Sequence, residues 1–264
     1  PVAIVDPGYE PGFRVGGGYA WSCVSELMGT YTRYESDASS SLMVAPPSPN
    51  VILPLVFHPA TLAAGSVFTT ASARSNVTLN MVDIDYRRTL ADNWLRTSYF
   101  VGGRYVNMDQ SFSARFTGGV APGPSMQNVA TQVDFNGGGI RMGLTADLAT
   151  PQSGFFGYAN GFASFIAGEF QSSFRQTDGA AMPIVVATTS RTDDRVVPIL
   201  DIELGVGWQS QSGAWRFTAG YLFSAWFNVV STDEFIRAAH TAQFGSLSDT
   251  LTFDGLSTRV DWRF

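Results

Sequence analysis

Charged side chains recur on one face of successive alternating segments, and these are the residues of the chain that could do chemistry. Every second residue of each segment is apolar, and the charged residues fall on the opposite face. Because an unpaired charge is costly away from water, these side chains must pair with one another or contact water. The charged face comprises Arg14, Glu26, Asp83, Asp85, Arg87, Arg96, Arg104, Arg141, Asp147, Asp201, Glu203, Arg216, Arg259, Asp261 and Arg263.

Two interpretations of this charged face stay open. In the first, arginine and carboxylate groups form a salt-bridge network that fills and braces an enclosed interior. In the second, they form a charged constriction that filters solutes. All 16 basic residues are arginine, whose planar guanidinium group binds a carboxylate at two points. This composition suits both interpretations, although a codon-biased genome also explains the lack of lysine.

Other kinds of chemistry have little support in the sequence. The two histidines, His58 and His240, have no partners at a spacing that indicates a catalytic or metal site. A single cysteine, Cys23, excludes an internal disulfide and a cysteine-based metal site. The net charge of −6 argues against nucleic acid as a partner. We therefore expect no enzyme activity, no cofactor, and no catalytic or metal-binding residue.

Period-two alternation from end to end predicts that the charged face lies on β-strands of one domain, residues 1–264. Only 14% of the residues are charged while 45% are hydrophobic, which is typical of a barrel with an apolar outer wall and a polar interior. We predict an all-β fold, a transmembrane antiparallel up-and-down β-barrel of about ten strands. Nine strands are visible, at residues 12–21, 24–34, 77–87, 94–116, 131–148, 155–175, 196–208, 214–228 and 250–264.

The connections between these strands alternate strictly between short and long. Barrels of this class have short periplasmic turns and long external loops, so the last strand should run inward. The first visible strand should run inward too, and two such neighbours cannot close an antiparallel barrel. We therefore expect a further strand that precedes Pro1. The long external loops are predicted at residues 35–75, 117–130, 176–195 and 229–249.

Two of the external loops have features of their own. Residues 44–68 are apolar but rich in proline, so this segment should either fold over or into the barrel mouth or contact a neighbouring protein. In the last loop, Ser231 and Glu234 form a capping-box pattern that predicts a short helix, which Gly245 can end.

Several pieces of the sequence resemble a known family. They are residues 11–19 (PGFRVGGGY), 101–105 (VGGRY), 134–139 (DFNGGG), 219–221 (AGY), 226–228 (WFN) and 253–256 (FDGL). Their ordered set resembles the pore-forming major outer membrane protein family of Legionella and its planctomycete relatives. The resemblance implies a β-barrel in the bacterial outer membrane and brings no catalytic residues. The final residues Val260, Trp262 and Phe264 resemble the signal that the barrel-assembly machinery recognises.

We predict a passive pore or narrow channel for small hydrophilic solutes or ions. The alternative is a structural or interaction barrel with a closed lumen that organises neighbouring outer-membrane proteins. A barrel of eight strands is filled by its own side chains whereas 16 to 18 strands leave a channel, so a barrel of about ten strands lies near the closed end. The expected partners are outer-membrane lipid, the barrel-assembly machinery, and a second copy or another membrane protein that contacts residues 44–68.

Overall fold

The computed structural model describes residues 5, 8–44, 51–61, 63, 66–92, 95–119, 126–149, 154–179, 183–245 and 247–263. These residues form nine β-strands and one α-helix. The strands are β1 (Gly12–Ser22), β2 (Ser25–Met43), β3 (Thr70–Asp92), β4 (Leu95–Thr117), β5 (Met126–Ala149), β6 (Phe155–Asp178), β7 (Ile184–Gln209), β8 (Trp215–Val229) and β9 (Asp249–Trp262), with helix α1 (Thr232–Thr241) between the last two.

All nine strands belong to one curled sheet in which each strand pairs antiparallel with the next along the chain. This arrangement confirms the predicted all-β, up-and-down architecture. Among the described residues no hydrogen-bond ladder joins β1 to β9. The curl nevertheless brings the two ends of the sheet close together, because the rings of Tyr34 on β2 and Phe253 on β9 lie 5.5 Å apart. The expectation of a further strand beside β1 stays a prediction.

Three of the four predicted external loops are too long, because the strands extend further outward. The loop predicted at residues 35–75 is 44–69, the one predicted at 117–130 is 118–125, and the one predicted at 176–195 is 179–183. The strands were predicted from an apolar outward face. This apolar pattern ends before the strands themselves end. The fourth connection, at 230–248, agrees with its prediction within one residue.

Partway along the strands, the apolar residues change from the exterior face to the interior face and the polar residues change the other way, as β4 shows. Near the start of β4 the exterior residues are apolar, for example Val101 and Tyr105, and Arg104 points inside. Further along, the exterior carries polar residues, and the interior becomes apolar. The exterior polar residues are Asn107, Asp109, Ser111, Ser113 and Arg115, and the interior apolar ones are Val106, Met108, Phe112, Ala114 and Phe116.

The exchange lies on one continuous row of paired exterior residues, which we call the boundary row. It comprises Arg33, Asn80, Asn107, Asn136, Glu169 and Asp194, each paired with the next across neighbouring strands. The row beside it on the apolar side comprises Tyr31, Val82, Tyr105, Gly138, Ala167 and Val196. The Asn80 amide donates to Asn107 at 3.3 Å, and that of Asn107 donates to Asn136 at 2.8 Å.

The boundary row divides the sheet into an inner half, on the side of the short connections, and an outer half. On β4 the inner half covers residues 95–105, which matches the roughly 9–11 residues that a tilted strand needs to cross a bilayer. The exterior of the outer half is too polar for hydrocarbon and suits water. In the described part of the chain, no helix has the length and apolar character needed to cross a membrane.

The interior of the outer half is an apolar core that includes two non-strand segments. We call these segments, the described residues of 51–68 together with α1, the plug. Ile52, Phe57 and Phe68 of the plug are buried with Phe235 of α1, and the rings of Phe57 and Phe116 lie 4.8 Å apart. The strands contribute Leu79, Met81, Val106, Met108, Val129, Val133, Phe135, Ile166, Phe170, Phe174, Val197, Ile199 and Trp226.

Helix α1 begins as predicted. The Ser231 hydroxyl accepts a hydrogen bond from the backbone N–H of Glu234 at 3.3 Å, which satisfies one of the free donors of the first turn. The helix ends earlier than predicted, at Ala242, whose φ of 54° is left-handed, rather than at Gly245. The same Ser231 hydroxyl donates to Asp249 at 2.6 Å and so ties the helix to the start of β9.

Cysteine labelling can test the position of the boundary row. Val101 and Ser111 both point outward on β4, but only Val101 belongs to the inner half. In a Cys23→Ser background, an impermeant maleimide added to whole cells should label Ser111→Cys and leave Val101→Cys unlabelled, because lipid covers the inner half. Unfolding should make both positions reactive. Equal labelling of the two variants in intact cells would contradict the assignment.

Candidate functional site: the barrel interior

Arg104 is the centre of the charged interior. Its guanidinium group donates to both carboxylate oxygens of Asp83, its ladder partner on β3, at 2.7 and 3.1 Å, and to Asp201 at 2.8 Å. The side chain of Arg104 is 1% exposed, and that of Asp83 is 3% exposed. A cation buried between two carboxylates is held firmly, since the loss of any partner would leave a charge unpaired.

Two of the ion pairs cross the interior. Arg104 lies on β4 and its partner Asp201 on β7, three strands further along the sheet. Arg216 on β8 reaches Asp147 on β5 and binds it at two points, at 2.9 and 3.0 Å. Side chains from facing walls therefore meet in the inner half, which is the salt-bridge arrangement considered in the first interpretation.

Three interior arginines share one local arrangement, in which the guanidinium group contacts a carboxylate and lies over a phenylalanine ring. Arg141 pairs with Asp85 and lies 3.9 Å from the centre of the Phe162 ring. Arg216 lies 4.1 Å from that of Phe156. The third arginine is Arg87, which pairs with Glu26 at 2.9 Å and lies 5.3 Å from the centre of the Phe100 ring. Each aromatic face adds a cation–π attraction to the ion pair.

The sequence of β6 is apolar on both faces near its start, and the structure shows which face lies inside. Tyr158 donates to Glu203 at 2.9 Å, and Asn160 donates to the same carboxylate at 3.2 Å. Neighbouring strands place glycines opposite the large β6 rings, as Gly143 pairs with Phe162 and Gly207 with Phe156. A Cβ on either glycine would lie within 2.3 Å of the opposite ring. This alternation of bulky and small residues between paired strands was the signal that could have oriented β6.

The structure brings most of the predicted charged residues together, but not all. Arg14 and Arg259 are exposed because they lie on β1 and β9, which are the two edges of the sheet. Arg14 donates to Thr32 at 2.9 Å, and Arg259 lies 3.4 Å from Asp261. Arg96 is half-buried opposite Asp147 in the β4–β5 ladder.

The C-terminal residues of the predicted assembly signal are only partly described. Val260 and Trp262 point outward on β9 and are exposed. Trp262 stacks on Trp215 of β8 with their rings 6.1 Å apart, whereas Phe264 lies outside the described residues. The assembly signal therefore stays a prediction.

Polar side chains of the interior fasten the plug to the wall of the outer half. The Gln176 carbonyl accepts from the backbone N–H of His58 at 2.9 Å, and its amide donates to Thr61 and Gln127. On β4, Gln110 donates to the backbone carbonyl of Val230, which lies just before α1, at 3.0 Å. Much of the apolar segment predicted at 44–68 therefore lies in the barrel mouth, the first of its two expected positions.

The two histidines meet inside the plug, with their rings 6.3 Å apart. Burial lowers the pKa of His240 below its ordinary value, the contact of its ring nitrogen with the Val56 carbonyl opposes this shift, and His58 adds to it. A neutral His240 is suited to its place between Phe174 and the plug backbone. Their neighbours here are apolar rings and backbone groups, so the pair serves packing in this structure.

The chain matches a known protein family. The model of the family described as Legionella pneumophila major outer membrane protein precursor matches residues 2–264. The comparison with curated proteins found no match.

Proposed function

Because this chain belongs to the Legionella pneumophila major outer membrane protein family, we propose that it is a non-enzymatic outer-membrane barrel whose lumen is closed at rest. In this proposal the inner half anchors the protein in lipid, and the outer half holds the plug above the membrane. Such a barrel serves structure and interaction in the outer membrane.

One observation carries this proposal: Arg104 bridges facing walls of the inner half with almost no contact with water. An ion passing between these two walls would have to separate a buried arginine from its carboxylates, and breaking such pairs costs about 3–5 kcal/mol. Above this level, the apolar core of the outer half and the plug present a second barrier, because a hydrated ion does not enter an apolar core.

A narrow pore is the second candidate, and the wall formed by β9, β1 and β2 favours it. Several interior residues of this wall are small, for example Gly16, Gly18, Thr30 and Ser257. Arg14 and Arg259 on this wall are exposed and would line a path for small hydrophilic solutes.

Single-channel recording of the purified, full-length protein in a planar bilayer separates the two candidates. A closed barrel should give no steady conductance at neutral pH. A pore along the β9–β1–β2 wall should conduct, and replacing both Arg14 and Arg259 with glutamine should then shift its selectivity towards cations. Arg33→Gln, on the exterior boundary row, is the matched control and should change nothing. A steady conductance of the unaltered protein would refute the closed lumen.

The interaction role rests on the exposed part of the plug. Val51, Leu53 and Leu55 are exposed while their neighbours Ile52 and Phe57 are buried in the mouth. Exposed apolar side chains grouped on one segment are typical of a contact surface. We propose that a neighbouring outer-membrane protein or a second copy of the chain contacts this surface.

A further inference from the structure

His58 and His240 lie where the two parts of the plug meet in the barrel mouth. His58 belongs to the segment 51–68, His240 lies in the last turn of α1, and their rings are 6.3 Å apart. His58 also lines a cavity between the plug and β7, together with Ala239 of α1. Both histidines are half-buried, so protons of the surrounding water reach them. A change in their charge therefore acts directly on the contact between the two parts of the plug.

The hydrogen bonds of both rings suit uncharged histidines. The Nδ1 atom of His58 accepts from the backbone N–H of Ala60 at 3.2 Å, so this nitrogen carries no proton. The Nε2 atom of His240 lies 3.1 Å from the carbonyl oxygen of Val56, so this nitrogen carries the proton of a neutral ring. Protonation of His58 at Nδ1 would oppose two donors, and protonation of both rings would place two positive charges side by side.

The surroundings of the pair do not balance such charges. Among the described residues, no carboxylate forms an ion pair with either ring, and His58 is the ionisable group that acts on the charge of His240. The described residues of 51–68 contain no other ionisable side chain. The charged residues of the neighbouring elements point outward, pair with one another or lie at the end of a strand, and they are Asp109, Arg115, Asp134, Arg175, Asp178, Arg191, Asp193, Arg195, Asp233, Glu234 and Arg237.

We propose that His58 and His240 form a pH-sensitive latch, which holds the plug in the mouth at neutral pH and releases α1 when both rings are protonated. Histidine is the side chain whose charge ordinarily changes between about pH 5 and 8. The latch acts on the plug and not on the inner half, where Arg104 still bridges facing walls. It is therefore independent of whether the lumen conducts.

The direction of the pH effect follows from the burial of His240. Burial lowers the pKa of His240 below its ordinary value of 6.5, and this effect outweighs the opposing contact with the Val56 carbonyl. The released form of the plug therefore binds a proton more readily than the docked form. Docking is fully favoured above about pH 6.5 and weakens as the pH falls below this value. One pH unit lower, the protonation of released His240 weakens docking by up to about tenfold.

Limited proteolysis of the full-length protein in detergent micelles tests the latch. Papain is active at both about pH 7.5 and about pH 5.5, and casein cleavage at each pH corrects for the pH dependence of papain itself. The unaltered protein should resist cleavage between β8 and β9 at the higher pH and be cut there about tenfold faster at the lower pH. Resistance should return when the pH is raised again.

His240→Gln keeps an N–H donor for the Val56 carbonyl but cannot be protonated, so this variant should resist papain at both pH values. His240→Asn offers a second, shorter amide if His240→Gln does not dock. Asp178→Asn is the matched control, because it removes the carboxylate at the end of β6 and leaves both histidines in place. This control should be cut at the lower pH like the unaltered protein.

Resistance of the unaltered protein at both pH values would overturn the proposal. The proposal is also wrong if neither variant of His240 stays resistant at both pH values, or if Asp178→Asn removes the pH effect. None of these outcomes bears on the closed lumen, which the conductance measurement at neutral pH tests separately.

Discussion

Arg104→Leu should lower the free energy of unfolding by about 3–5 kcal/mol, the typical loss when one partner of a buried ion pair is removed. The substitution leaves two buried carboxylates, Asp83 and Asp201, without their shared cation. Refolding into detergent micelles at increasing urea concentration, followed by tryptophan fluorescence, measures this change. A midpoint that stays unchanged would show that Arg104 is not buried between these carboxylates.

The matched control for Arg104→Leu is Arg74→Leu. Arg74 also pairs with an aspartate of a neighbouring strand, Asp37, but this pair lies on the exterior of the outer half, where both side chains are exposed. Water screens an exposed ion pair and solvates the carboxylate that is left behind, so stability should change little. If both substitutions lower stability equally, the loss reflects the general effect of removing an arginine.

Phe235→Asp should release α1 from the barrel mouth. Phe235 is fully buried in the core of the outer half. Loss of its ring alone should weaken docking by about 3–5 kcal/mol, and the buried carboxylate would raise this cost further. The strands of the inner half should keep their pairing, because their contacts do not involve the helix. Limited proteolysis should therefore cut the variant between β8 and β9 while the rest of the barrel resists.

Arg237→Ala on the same helix provides the comparison. Arg237 is exposed and, among the described residues, forms its ion pair with Glu234 on its own helix, so its removal leaves the buried face of α1 intact. This variant should resist proteolysis like the unaltered protein. A Phe235→Asp variant that also stays resistant would contradict the buried position of α1. Combined with single-channel recording, the pair of variants also shows how far the plug contributes to closure.

The alternation of the inner half determined much of this protein from the sequence alone. A period of two places Val101 and Tyr105 on one face of β4 and Arg104 on the other, and only one of these faces tolerates lipid. The same local rule placed Asp83, Asp85, Arg141 and Arg216 in the interior, and the capping box of α1 was evident for the same reason. These features depend on residues within a few positions of one another, so they can be predicted from the sequence.

The structure of the outer half could not be predicted from the sequence and became clear only from the tertiary structure. Its strands alternate with the opposite sense, so residues such as Ser39 and Thr192 fell within predicted loops, although they continue β2 and β7. The plug supplies the reason for the reversal. Once Phe57 and Phe68 enter the mouth, the interior of the outer half must be apolar, and the exterior, above the lipid, must be polar.

Only the curl of the sheet decided how the charges pair. The sequence predicted that Arg104 and Asp201 share an interior, but their positions on β4 and β7 set them far apart along the sheet. They meet because the curled sheet brings these strands close enough for their side chains to reach each other across the interior. Arg216 meets Asp147 in the same way. Alternation assigns a face to each residue, whereas the partner across the interior depends on curvature, strand number and register, which no local pattern encodes.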